Sequence, residues 1–163
     1  MDFFPGLRAM ENLHPVFVHA PLTLLPLALV FQTLAVWRGR DDWQKLALWF
    51  LCLGALGALA SAGTGLWAEE EVTVPEAGWE TIERHEILML TTTGLAVVLA
   101  AAALWLRRRL TRGLQAGLLA GLVVLNGLMV VGADLGGRLV YEFGVSVKKA
   151  APAPPSAGEA ERD

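Results

Sequence analysis

Four apolar runs, 16–37, 46–68, 87–106 and 114–133, contain no Asp, Glu, Lys or Arg. Each is about as long as the 20 residues that carry an α-helix across the hydrocarbon core of a bilayer. A soluble helical bundle needs a polar stripe on every helix, and these runs lack one. Charged residues make up only 18% of the chain, against roughly a quarter in soluble domains. The fold expected is therefore an all-α membrane protein, a four-transmembrane-helix bundle. Residues 1–13 form an N-terminal arm, 14–147 the membrane domain, and 148–163 an Ala/Pro-rich tail expected to be disordered. The first run is too long for a cleavable signal peptide and only Arg8 precedes it as a positive residue.

Orientation is read from Lys and Arg in the short loops. Arg38, Arg40 and Lys45 follow the first run, and Arg107, Arg108, Arg109 and Arg112 follow the third. These mark a cytoplasmic face. Both termini and the acidic 69–86 loop are then expected on the outer, periplasmic side of a bacterial inner membrane. The net charge of -3 gives no reason to expect a nucleic-acid partner, and the single Cys52 excludes an intrachain disulfide.

The first run opens with His14-Pro15-Val16-Phe17-Val18-His19-Ala20-Pro21. Ionisable groups inside a span are costly and mark candidate sites. His19, Thr23, Pro26, Val30 and Thr33 follow helical spacing, so this stripe is expected to face the bundle interior. His14 lies about 140° away from His19 around an ideal helix, so only one of the two is expected inside. Helix two carries small residues four apart, Gly54 with Ala58 and Gly57 with Ser61 and Gly65, a close-packing signature, and is expected to close at Gly63 to Trp67. Helix three is expected to start near Thr81, with His85, Met89, Thr92 and Ala96 on one face. Helix four has Gly113, Gly117 and Gly121 as a second close-packing row, Asn126 near mid-membrane, and Asp134 four residues before Arg138. No internal sequence repeat is evident; the chain splits into two hairpins, each beginning with a histidine at the outer face, a weak pseudo-symmetry only.

His14, His19, His85, Asp134, Arg138 and Tyr141 map to one end of the bundle. Three chemistries fit. One is haem b between helices one and three, with His19 and His85 as axial ligands and His14 as the substitute. Arg138 and Arg84 would pair with its propionates. A second is a transition-metal site built from His19, His85 and His14 with Asp134 as an oxygen ligand. A third is a proton-titrating or quinone-facing site. The competing non-catalytic reading is a membrane scaffold or subunit, in which His19 hydrogen-bonds Asp134 or Asn126 and holds the helices in register. No Ser/His/Asp order, phosphate loop or HExxH is present, so no catalytic residue is assigned.

The chain resembles the small bacterial membrane proteins of domain of unknown function 2231. The resemblance is carried by His14-Pro15-x-x-Val18-His19-x-Pro21, a small-residue helix two ending in Trp67, His85, and Leu135-Gly136-Gly137-x-Leu139-Val140-Tyr141-x-x-Gly144-x-x-Val147. It implies a four-helix inner-membrane domain without an assigned activity. Relatives of this type occur fused to Rieske or cytochrome-like modules. That implies membrane electron transfer with a periplasmic electron partner, and small-residue faces leave room for a homo-oligomer. Such proteins often carry a histidine two residues after the tyrosine of the last motif, where this chain has Phe143. A site needing four histidines is thereby disfavoured; one needing two is not.

Overall fold

The computed structural model describes residues 3–109 and 111–147. Within them the chain is all-helical. The 148–163 tail lies outside the described residues. A short helix α1 (Pro5–Ala9) leads into α2 (His14–Phe17) and α3 (His19–Arg38), which together make the first span. α4 (Asp41–Glu71), α5 (Trp79–Leu106) and α6 (Arg112–Tyr141) complete four helices long and apolar enough to cross a membrane. They run up and down in a ring, α3 packing on α4 and α6, and α5 on α4 and α6.

Local chemistry sets the ends. Pro21 has no N–H to give the Phe17 carbonyl, and the helix breaks at Val18 between α2 and α3. Pro26 sits inside α3 without ending it. Gly39 closes α3 in the left-handed conformation, φ 63°. Asp41 and Asp42 in the first turn of α4 complement its dipole. Thr111 caps α6, its hydroxyl accepting from the Leu114 N–H. Contrary to the expected stop at Gly63 to Trp67, α4 runs on to Glu71, since glycine is tolerated in a helix that packing supports. The connection to α5 shrinks to Val72–Pro75 and the 3-10 turn Glu76–Gly78, and α5 starts at Trp79.

The inward stripe of the first span is His14, Pro21, Leu25, Ala28, Gln32 and Ala35, at alternating steps of three, four and seven. This corrects the expectation for His19, Thr23, Pro26, Val30 and Thr33. His19, Thr23 and Thr33 are exposed on the outer surface, and Val30 is half exposed. Thr33 tolerates that position because its hydroxyl donates to the Leu29 carbonyl one turn back, 2.8 Å. The inward polar residue is Gln32, 0% exposed. It donates to the Gln115 carbonyl at 3.1 Å and accepts from Gln44 at 2.8 Å, joining α3, α4 and α6 at the arginine-rich end. Gln32→Leu would strand both partners and is expected to lower stability by about 1–3 kcal/mol, readable in a denaturant titration of the detergent-solubilised protein.

The glycine rows behave differently from one another. A Cβ on Gly54 would meet Leu25 Cδ2 at 2.7 Å, and one on Gly57 would meet Ala20 Cβ at 2.9 Å, so the α3–α4 contact depends on both. Of the expected α6 row only Gly121 packs closely, against Leu99; Gly117 meets nothing and Gly113 only its own cap residue Thr111, while further along the helix Gly132 and Gly136 pack closely against Met89 and His85. The close-packing row expected there reduces to one residue.

The two hairpins share much of their burial pattern. A shift of 71 positions carries Leu51, Gly54, Ala58, Ser61 and Ala68 of α4 onto Leu122, Leu125, Met129, Gly132 and Leu139, the buried residues of α6. It carries buried Pro21, Leu25 and Gln32 onto buried Thr92, Ala96 and Ala103 of α5. The same shift takes His14 onto His85. The bundle is therefore a pseudo-two-fold pair of hairpins about an axis along the helices.

Candidate functional site

A cavity of about 530 Å³ lies between the helices at the histidine end, inside the range of small-molecule sites. Leu25, Thr92, Thr93 and Met129 form its floor, and Ala58, Ala62, Ala133 and Met89 belong to its walls. His14 and His85 both line it, one from each hairpin; His19 does not.

The two imidazoles are held in the same way. His14 Nδ1 lies 3.0 Å from the Ser61 carbonyl, with Thr64 Oγ1 at 3.4 Å. His85 Nδ1 lies 2.8 Å from the Gly132 carbonyl. A carbonyl only accepts, so Nδ1–H is the donor in both rings, and each neutral ring keeps its Nε2 lone pair. Each ring rests on the glycine one turn beyond that carbonyl. A Cβ on Gly65 would sit 3.0 Å from His14 Cε1, and one on Gly136 would sit 3.0 Å from His85 Cε1. The carbonyl fixes the tautomer and the glycine makes room for the ring, an outer shell of the kind that orients metal-binding histidines. Gly136→Val would push the His85 ring off the Gly132 carbonyl. Loss of that Nδ1–H···O bond is expected as a shift of the imidazole ¹⁵N resonances.

Of the other residues named from sequence, the exposed Tyr141 lines the cavity; the rest are not gathered here. Asp134 is exposed and does not line the cavity. Arg138 turns to Glu142 rather than to Asp134, with N–H···O distances of 3.1 and 2.9 Å. Those bonds hold the exposed Glu142 carboxyl below its usual range. Arg84 pairs with Glu80 one turn back. Among the described residues no Lys or Arg lines the cavity, whereas Glu69 and Glu86 do. Asn126 donates to Leu25 and Leu122 carbonyls, at 3.4 and 2.8 Å, linking α6 to α3 without a histidine. Among the described residues no group of three or more His, Cys, Asp or Glu is arranged to hold a metal ion. Phe143 packs beside Val74 and Gly78 in an apolar cluster with Val72, Ile82, Leu139 and Val145.

Sequence reasoning missed the carbonyl and glycine supports of the rings. The 71-position match of Gly65 with Gly136, each four residues beyond the carbonyl used by its own histidine, was the available signal.

The family model described as "Predicted membrane protein (DUF2231)" matches residues 10–149. No curated protein and no solved structure matches the chain significantly.

Proposed function

The chain belongs to the DUF2231 family of predicted membrane proteins, and from that premise we propose that it is a membrane redox protein holding one haem b between His14 and His85. The observation that carries the reading is the pair of imidazoles with Nδ1 engaged by backbone carbonyls, lining one apolar cavity from opposite hairpins. The Nε2 atoms of His14 and His85 would hold the haem iron, which takes neutral imidazole donors. The glycines under the rings support the fit, since a Cβ at either would disturb a ligand's orientation. The cavity's carboxylates, and the lack of lining cations among the described residues, do not favour propionates inside it. They would be met by water at the rim, and Arg84 and Arg138 stay with Glu80 and Glu142.

When bound, the haem iron supplies one-electron chemistry. The chain's own part is to fix both imidazoles, to keep the slot apolar and to span the bilayer. The proposal places the histidine end at the periplasmic face of a bacterial inner membrane, opposite Arg38, Arg40, Lys45 and Arg107 to Arg109. The electron partner would dock at that face. Haemin titrated into the detergent-solubilised apoprotein is expected to saturate at one per chain with a six-coordinate spectrum. Binding without a defined end point would remove the proposal.

A second reading has its own observation. Each histidine bond joins two helices of one hairpin, α2 to α4 and α5 to α6. A scaffold held by these bonds would lose stability on histidine removal and never bind haemin stoichiometrically.

A further inference from the structure

We infer that the cavity exchanges its occupant with the bilayer, through the seam between α3 and α6 in the leaflet at the histidine end, so that the ligand is a lipid-soluble molecule. The inference deepens the reading of the cavity as a ligand site and rests on it.

The chain that follows α6 covers part of the aqueous end. After α6 the chain turns back, with Gly144 at φ 64° and Ser146 at φ 59°. Val145 N–H donates to the Leu139 carbonyl at 2.9 Å, and Val145 is buried with Val72, Val74, Ile82 and Leu139. Asn12 Nδ2 donates to Ser146 Oγ at 2.9 Å, tying the segment before α2 to this turn across the cavity. A left-handed serine is sterically costly and persists where its surroundings hold it.

The flanks differ, and the duplication shows where. Gly137 on α6 is the counterpart of Leu66 on α4, and both line the cavity. Where Gly137 has no side chain, Leu66 carries a leucine side chain. Gly137 lies eleven residues, three helical turns, beyond Asn126, whose amide reaches the Leu25 carbonyl, so it lies on the α3 side of α6. A Cβ there would meet nothing within 4 Å. Two further counterparts change in the same sense. Glu69 and Glu86 flank the α4–α5 seam, whereas Val140 and Pro15 occupy their places by α6 and α2. Leu22 and Val140 line the cavity and are about two-fifths exposed on the outer surface. One flank carries carboxylates, which acyl chains reject. The other is apolar and opened by a glycine.

The test reads access directly, in cofactor-free protein. A nitroxide is placed on Ala62→Cys, a cavity wall, in a Cys52→Ala background, and the full chain is reconstituted in phospholipid vesicles. Its collisions with molecular oxygen, which partitions into lipid, and with a water-soluble nickel chelate are measured by power saturation. Oxygen is expected to dominate, and Gly137→Leu, which supplies the counterpart's side chain, is expected to cut the oxygen collision rate several-fold. Gly137→Ala should fall between. Dominance of the nickel chelate would overturn the inference in favour of an aqueous mouth. Oxygen access unchanged by Gly137→Leu would overturn the α3–α6 route. Pigment formation reports the cofactor reading separately, because the nitroxide reports access whether or not haem binds.

Discussion

His14→Ala and His85→Ala are each expected to yield folded protein that purifies without haem absorbance, whereas His19→Ala is expected to retain the full pigment. This contrast is the largest effect expected. Loss of an outer-shell partner typically weakens metal binding about 10–100-fold. Loss of an axial imidazole should exceed that and leave haem content below detection after purification. The equivalence of the two variants follows from the duplicated arrangement, each ring bonded to a helix carbonyl and lying on a glycine. His19 is exposed and outside the cavity. A pigment that depends on His19 and not on His14 would contradict the assignment. The readout is haem-to-protein ratio by pyridine haemochrome, with near-normal helical circular dichroism as the folding check.

Gly57→Leu is expected to be the most damaging single change to the bundle itself. A Cβ at Gly57 already meets Ala20 Cβ at 2.9 Å and the Pro21 ring Cδ and backbone nitrogen at 3.3 and 3.4 Å. Backbone atoms and a proline ring cannot rotate away, so α3 and α4 must separate. Overpacking of this kind costs about 3 kcal/mol. Gly63→Leu, six residues on, puts its side chain where nothing lies within 4 Å and should be near neutral. Unfolding midpoints of the two variants in mixed micelles give the comparison. Equal midpoints would mean that α3 and α4 are not in close contact at Gly57.

Much of the fold was legible because the bilayer imposes it. Four uncharged runs of the right length leave little choice, and each became a helical span of 25 to 31 residues. His85 was legible too, since it lies on the same face as Thr92 and Ala96, which the core buries. The first span was misread because polar residues were taken to point inward. A threonine hydroxyl can satisfy itself on its own helix, as Thr33 does on the Leu29 carbonyl, and so says little about direction. The apolar stripe Pro21, Leu25, Ala28 and Ala35 was the better guide, and His14 lies two turns before Pro21 on it. The duplication escaped notice for a different reason. Its paired positions share burial and backbone contact rather than chemistry, as with Ser61 and Gly132, each of which serves through its carbonyl alone. Side-chain identity carries no trace of a contact made by the backbone.

The charges near the cavity were the other source of error. Arg84 and Arg138 stand near the histidine end in sequence, but each has an acidic neighbour one turn away and is engaged there. An i,i+4 partner is always within reach on a helix, whereas a cofactor must compete for the same guanidinium.

The most direct measurement is the absorption spectrum of the full chain, purified in detergent from cells supplied with a haem precursor, first oxidised and then reduced with dithionite. A Soret band with sharpened visible bands on reduction, at one haem per chain, is the expected result. Colourless protein at good yield, with stability lost in the histidine variants, would contradict the redox reading and leave the helix-joining role of His14 and His85.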